Sequence, residues 1–244
     1  MMTHTGAEFI QKILDISKAE IIPMAGNRNY SDKKIFPIFN PVPNALELSS
    51  LAGLVDFCKS DEGVSAIGEG AFLHIESYDA VSFLSKNQGE WLQRSMFARA
   101  TCNLFEPFKF NGFHQHEDFI IMLQSRFIQT ETTKALLQLV GNIQDEAVKT
   151  MVDDGVSQEV KTRRGISMVE AIKLPNPVSL MPFRTFLEVS QPESDFVLRL
   201  QGSAQGKMPS IALFEADGGM WKQMAVARIK EYLHEALPDV QVIA

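Results

Sequence analysis

The sequence predicts an α+β protein: helices and a small antiparallel sheet in the N-terminal part, two central helices, then a C-terminal antiparallel sheet covered by a C-terminal helix. Three observations predict it. Apolar residues recur at steps of three and four in several segments, the period changes to two over 72–102 and again over 156–214, and turn-forming clusters leave the later strands too close for parallel crossovers.

Thr5-Gly6-Ala7-Glu8 has the composition of a capping box, and Phe9, Ile10, Ile13 and Leu14 fall on one face of the helix it opens. That amphipathic face is expected to pack. The stretch 21–44 is proline-rich, and Ile35 to Phe39 within it reads as an extended edge segment because Pro37 has no amide to donate. A second helix is expected over about 44–60, with Leu48, Leu51, Ala52, Val55 and Cys58 inward, followed by a glycine-containing loop from Gly63 to Gly70.

From Phe72 the pattern alternates. Leu73 and Ile75 oppose Phe72, His74 and Glu76, and "AVSFL" and "WLQRSMFARATC" continue as strands, with Asn87-Gln88-Gly89 supplying turn chemistry. Helical spacing returns at 117–128 and 133–151. Asp153-Asp154-Gly155 ends it. "SQEVKTRRGISMVEAIKL" reads as two strands, "RTFLEVSQ" as a third, "DFVLRLQG" as a fourth and "SIALFE" as a fifth. Asp217-Gly218-Gly219 opens a last helix with Trp221, Ala225, Ile229, Leu233 and Ala236 inward; Pro238 stops it, and "VQVI" forms a final short strand.

The length of 244 residues admits two regions, 1–112 and 113–244, or one continuous domain. Apolar runs fall far short of a membrane span, and the N-terminus lacks the features of a secretory signal, so a cytoplasmic location without membrane contact is the expectation. Cys58 and Cys102 are too few and too far apart for a disulfide scaffold or a C-x-x-C site, and both read as small buried hydrophobes. The net charge of −7 lies wholly in residues 1–154, because residues 155–244 hold ten basic and ten acidic groups. A general attraction to nucleic acid is therefore not expected, although a local basic strip is compatible with these numbers.

No motif identifies an activity. The string "FHQHEDF" pairs His114 and His116 two residues apart, as two metal ligands on one strand face would be, but no third ligand is near and the His-Glu-x-x-His order is absent. The stronger reading makes Glu117 and Asp118 the acidic first turn of a helix, stabilised by its dipole, with Phe119 entering the core. Nucleotide-phosphate loops, calcium loops and serine-nucleophile motifs are all missing, so no cofactor and no catalytic residue is nominated. Lys161, Arg163 and Arg164, with Lys173, Arg184 and Arg199 on following strands, could make one side of the C-terminal sheet basic enough to meet phosphates. Glu159, Glu170 and Glu188 alternate among them, which favours an ordinary solvated face.

The order "HEDF", "VKTRRGI", "VSLMPFRTFLEVSQPESDFVLRL" and "SIALFEADGGMWKQMAVARIKEYL" resembles the YfdQ-like family of phage and prophage proteins, over roughly residues 90–244. In that family the helix opens on a Ser-Gln-Glu-Asp-Phe-like string. Glu117, Asp118 and Phe119 correspond to it, whereas Gln115 and His116 depart. The resemblance implies a phage or prophage origin and expression in the bacterial cytoplasm, with no activity to carry over. The leading expectation is a non-enzymatic accessory protein that self-associates as a homo-oligomer through sheet edges or binds a host or phage partner. A nucleic-acid-binding role in phage replication or recombination, through the six basic residues, is the alternative. A metal-dependent hydrolase built on His114 and His116 comes last.

Overall fold

The structure, a computed structural model, describes residues 4–18, 21–24, 28–31, 44–88, 92–104, 106–143, 152–153, 158–164, 168–173, 176–201 and 209–244, with backbone alone over 4–9, 21–31 and 152–173. The extended segment expected at Ile35–Phe39, the turn at Gly89, the helical residues 144–151, the turn at Asp154-Gly155 and the break over 202–208 lie outside the described residues. The chain divides into two compact units, Met1–Val42 and Pro43–Ala244.

In the first unit, α1 (His4–Ser17) forms as its spacing predicts, and β1 (Ile21–Met24) pairs antiparallel with β2 (Arg28–Ser31). Ile10, Ile13 and Leu14, on the face of α1 expected to pack, are exposed.

The second unit is mixed α/β and contains two cores. The first is built on a five-stranded sheet ordered β13-β4-β5-β6-β3, formed by β3 (Leu46–Leu48), β4 (Phe72–Ser77), β5 (Ala80–Leu84), β6 (Met96–Thr101) and β13 (Val242–Ile243). The central pairings β4–β5 and β5–β6 are antiparallel, as the alternation predicts, while β3 and β13 join the edges in parallel. Two elements here correct the sequence reading. The helix expected over 44–60 is β3 followed by α2 (Leu51–Lys59), because the Ser50 hydroxyl accepts from the Gly53 amide and starts the helix at Leu51. The loop expected over 63–70 is mostly α3 (Asp61–Gly68): Ser60 caps it by accepting from the Gly63 amide, and Asp61 and Glu62 sit at its positive end. Gly63 is required there by packing, since a Cβ would lie 2.2 Å from the Phe57 carbonyl oxygen.

α2 buries Leu51, Leu54, Val55 and Cys58 against this sheet. Its companion is α6 (Met220–Ala236), entered through Gly219 at φ 82°, a left-handed conformation that costs glycine least. Ile229 and Leu233 of α6 share this core with Leu73, Phe83 and Val242. The last helix therefore covers the sheet of the N-terminal strands, not the C-terminal sheet as expected.

The C-terminal sheet is three-stranded and antiparallel, ordered β10-β11-β12: β10 (Val178–Leu180), β11 (Ser194–Gln201) and β12 (Ser210–Glu215). Phe196, Leu198 and Leu200 alternate inward along β11 as the pattern predicts. Their cover is α4 (His116–Ser125) and α5 (Glu131–Gly141), which supply Phe119, Leu123, Leu136 and Val140 to the second core. A further antiparallel sheet comprises β7 (Val152–Asp153), β8 (Gln158–Arg164) and β9 (Met168–Lys173), with Glu159 opposite Lys173 and Arg163 opposite Val169.

The "RTFLEVSQ" segment is not a strand. Gln191, 2% exposed, holds it as a compact loop: its Oε1 accepts from the amides of Arg184 and Thr185, and its Nε2 donates to the carbonyls of Thr185, Phe186 and Val189. One amide side chain thus satisfies buried backbone groups that would otherwise need a neighbouring strand.

Candidate functional site

Local rules bring five separate segments to one cleft of about 370 Å³ within the second unit. The two-residue connection between β4 and β5 contributes Tyr78 and Asp79. The segment after β6 contributes Cys102, Phe108 and Phe110; the Gln191-held loop contributes Arg184; the end of β12 contributes Glu215; and the first turn of α6 contributes Trp221 and Lys222. Thr185 ties the loop to the β4–β5 connection by donating to the Tyr78 carbonyl.

Arg184 is the centre of this arrangement and is only 7% exposed. One terminal nitrogen donates to the Glu215 carboxylate at 2.6 Å and the other to the Ser194 hydroxyl. Its guanidinium carbon lies 4.1 Å from the centre of a Trp221 ring, 5.1 Å from Phe110 and 5.4 Å from Phe196, distances at which aromatic faces attract a cation. Burial pushes its pKa down to about 10, against the opposing pull of the Glu215 and Asp217 carboxylates. Two buried donors on lining residues, Arg184 Nε and Trp221 Nε1, have no hydrogen-bond partner.

Around this floor the walls are aromatic and the rim is polar. Tyr78 meets Trp221 edge to face at 4.7 Å, and Phe110 stacks on Phe196 at 5.0 Å and 15°. Tyr78 and Phe110 line the cleft and are half-buried. Lys222 is exposed, and its Nζ lies 5.7 Å from the Tyr78 ring and 5.8 Å from Trp221. The Asp79 carboxylate accepts from the Ser77 hydroxyl at 2.6 Å. Burial raises the Tyr78 phenol, and the Asp79 carboxylate adds to that. The Cys102 thiol is pushed up to about 11, first by burial and then by Asp79 and Glu188. It is half-buried, unlike Cys58, so the reading of both cysteines as core residues holds for one of them. A thiol held mostly protonated at neutral pH is a weak nucleophile.

The residues nominated from sequence lie elsewhere or play other parts. His114 Nε2 contacts the Lys109 carbonyl oxygen at 2.7 Å, whereas His116 Nε2 contacts the Val140 carbonyl oxygen at 2.9 Å, so the two imidazoles are each engaged by a different backbone group. Among the described residues no cluster of three or more His, Cys, Asp or Glu is arranged to hold a metal ion. Glu117 and Asp118 form the acidic first turn of α4 and Phe119 is fully buried, as the capping reading predicts. His114 has a role the sequence did not suggest. Its backbone exchanges both hydrogen bonds with Ile211, and the Asn111 amide donates to the Leu213 carbonyl, so this stretch covers the outer edge of β12.

The continuation of β10 is covered in the same way: the Ile128 amide donates to Met181 O, and the Phe183 amide donates to Arg126 O. Strand addition at those positions would have to displace segments of the same chain, which removes the edge argument for self-association there.

The six basic residues do not share one sheet. Lys161, Arg163 and Arg164 lie on β8 and Lys173 on β9, in one sheet; Arg199 lies on β11, in another; Arg184 lies in the loop and is buried in an ion pair. The cleft was missed because no local motif marks it. Its residues are scattered from position 78 to 222, and Gln191 is the single sequence signal, legible only once its five hydrogen bonds are seen.

No protein-family model, no curated protein and no solved structure matches the chain.

Proposed function

We propose that the protein is a non-enzymatic accessory protein of the phage or prophage type, active in the bacterial cytoplasm, that works by binding a partner molecule in the Arg184–Trp221 cleft. The observation that carries this reading is the state of Arg184. Its charge is matched by Glu215 and wrapped by rings, so the floor of the cleft is a fixed, preorganised surface. A volume of about 370 Å³ with mostly apolar walls and a few polar groups is the usual make-up of a ligand site. No histidine lines it and its one thiol is held up to about 11, which makes that thiol a weak nucleophile at neutral pH.

Ligand-observed NMR of a chemically mixed fragment library against the full chain tests the proposal. Binders should compete for one site, weaken in the Lys222→Ala variant and be recovered chemically unchanged. Binding indifferent to Lys222, or conversion of a bound fragment to product, contradicts it.

A further inference from the structure

The charge pattern of the cleft narrows what can occupy it. Two carboxylates, Asp79 and Glu215, face two cations, Arg184 and Lys222. Glu215 and Arg184 bond each other at 2.6 Å and cancel. That leaves one acceptor group, Asp79, and one cation, Lys222, whose described contacts are only the two aromatic rings beneath it. A ligand carrying net charge of either sign would meet attraction at one of these groups and repulsion at the other. A ligand that is neutral and has a donor edge and an acceptor edge satisfies both.

The walls add a further requirement. Tyr78 and Phe110 line the cleft and are half-buried, and behind them Trp221 and Phe108 are almost fully buried, so the apolar wall is aromatic and firmly held, its rings inclined by 62° (Tyr78–Trp221) and 52° (Phe108–Phe110). Flat π-systems stack favourably on such rings, and unpaired bases are held in this way on aromatic side chains while their edges are read by hydrogen bonds.

Resting on the binding reading above, we infer that the cleft takes a nucleobase: a neutral planar heterocycle stacked at Tyr78 and Phe110, with a ring or exocyclic N–H donating to Asp79 and a carbonyl or ring nitrogen accepting from Lys222. The base could arrive as a free nucleoside or as one unstacked unit of a single strand. The same contacts serve both sources. The basic positions of the C-terminal part are divided between two sheets and a buried loop.

The test is a titration of the full chain with adenosine, guanosine, cytidine, uridine and thymidine, read by Trp221 fluorescence in a Trp91→Phe background that leaves Trp221 as the only tryptophan. Saturation-transfer NMR of the same nucleosides on the unaltered chain supplies a second readout that needs no variant. At least one nucleoside is expected to bind saturably. Asp79→Asn and Lys222→Met should each weaken it about tenfold, as loss of a charge-assisted hydrogen bond does. A single-stranded oligonucleotide of the preferred base distinguishes the sources: affinity equal to the nucleoside's indicates the free form, whereas much tighter binding that falls steeply with salt indicates the strand. If no nucleoside or oligonucleotide binds, or binding ignores both variants, the inference is overturned. In that event, fragments that still bind in a Lys222-dependent way leave the binding reading intact, and their absence removes it as well.

Discussion

Replacing Arg184 with methionine removes the guanidinium while keeping a long flexible side chain to fill its space. Removing one member of a buried ion pair costs about 3–5 kcal/mol when the other is left dry. Glu215 retains 30% of its side-chain exposure, so water can take over its carboxylate, and the loss there should fall nearer 2 kcal/mol. Ser194, 4% exposed, loses its donor, which adds about 1 kcal/mol. The cation's contact with three rings adds about 1 kcal/mol more, and relief of the cost of burying a charge offsets part of the total. The expected net loss is about 3 kcal/mol, or roughly 6–12 °C in Tm for a chain of this length. Thermal and denaturant unfolding of wild type, Arg184→Met, Glu215→Gln and the double variant would measure it, with a coupling of about 1–3 kcal/mol between the two sites. A loss below about 1 kcal/mol, or additive single effects, would refute the view that this pair organises the cleft.

Three further outcomes are expected. Gln191→Leu should destabilise the protein by about 3 kcal/mol, because five backbone hydrogen bonds lose their partner at a site 2% exposed, and hydrogen exchange should rise first at the amides of Arg184 and Thr185. Gly63→Ala should cost at least about 2 kcal/mol by chemical denaturation, since its Cβ would meet the Phe57 carbonyl at 2.2 Å, whereas Gly68→Ala, with open space around it, should be tolerated. Burial raises the Cys58 thiol from 9.0 to about 12, so the unfolded chain loses this proton first. Stability from this group is therefore full below pH 9 and is lost as the pH rises toward 12, with a slope of up to about 1.4 kcal/mol per pH unit. Denaturation at pH 8, 9 and 10 should show a steeper alkaline decline in wild type than in Cys58→Ala. Equal slopes would contradict the assignment.

Much of the fold is legible in local pattern. The alternation at 72–84 and 194–200 and the helical spacing of Trp221, Ala225, Ile229 and Leu233 translate directly into β4, β5, β11 and α6. Errors arise where one side chain decides the outcome. Ser50 and Ser60 move helix boundaries by accepting single amide protons, and Gln191 turns an apparently alternating strand into a loop. Pairing across long separations is not written in period at all. Val242 lies beside Leu73, and α6 crosses to the sheet of the N-terminal strands, because the apolar faces there are the ones left uncovered once α4 and α5 occupy the C-terminal sheet.

The cleft shows the same limit more sharply. Arg184 reads from sequence as one basic position among six, and only packing shows that it is buried, held by Glu215 and Trp221. His114 and His116 read as ligands because of their spacing, yet each ring meets a separate backbone carbonyl and the His114 backbone closes a sheet edge.

Occupancy of the cleft can be read at Cys102, which lines it, with buried Cys58 as an internal reference. Thiol alkylation at pH 9, quantified separately for the two cysteines by peptide mass, would be followed as a function of nucleoside concentration. Labelling of Cys102 is expected to fall saturably with the same midpoint as the Trp221 signal while Cys58 stays slow throughout. Undiminished labelling of Cys102 at ligand saturation would contradict the claim that this cleft is the binding site.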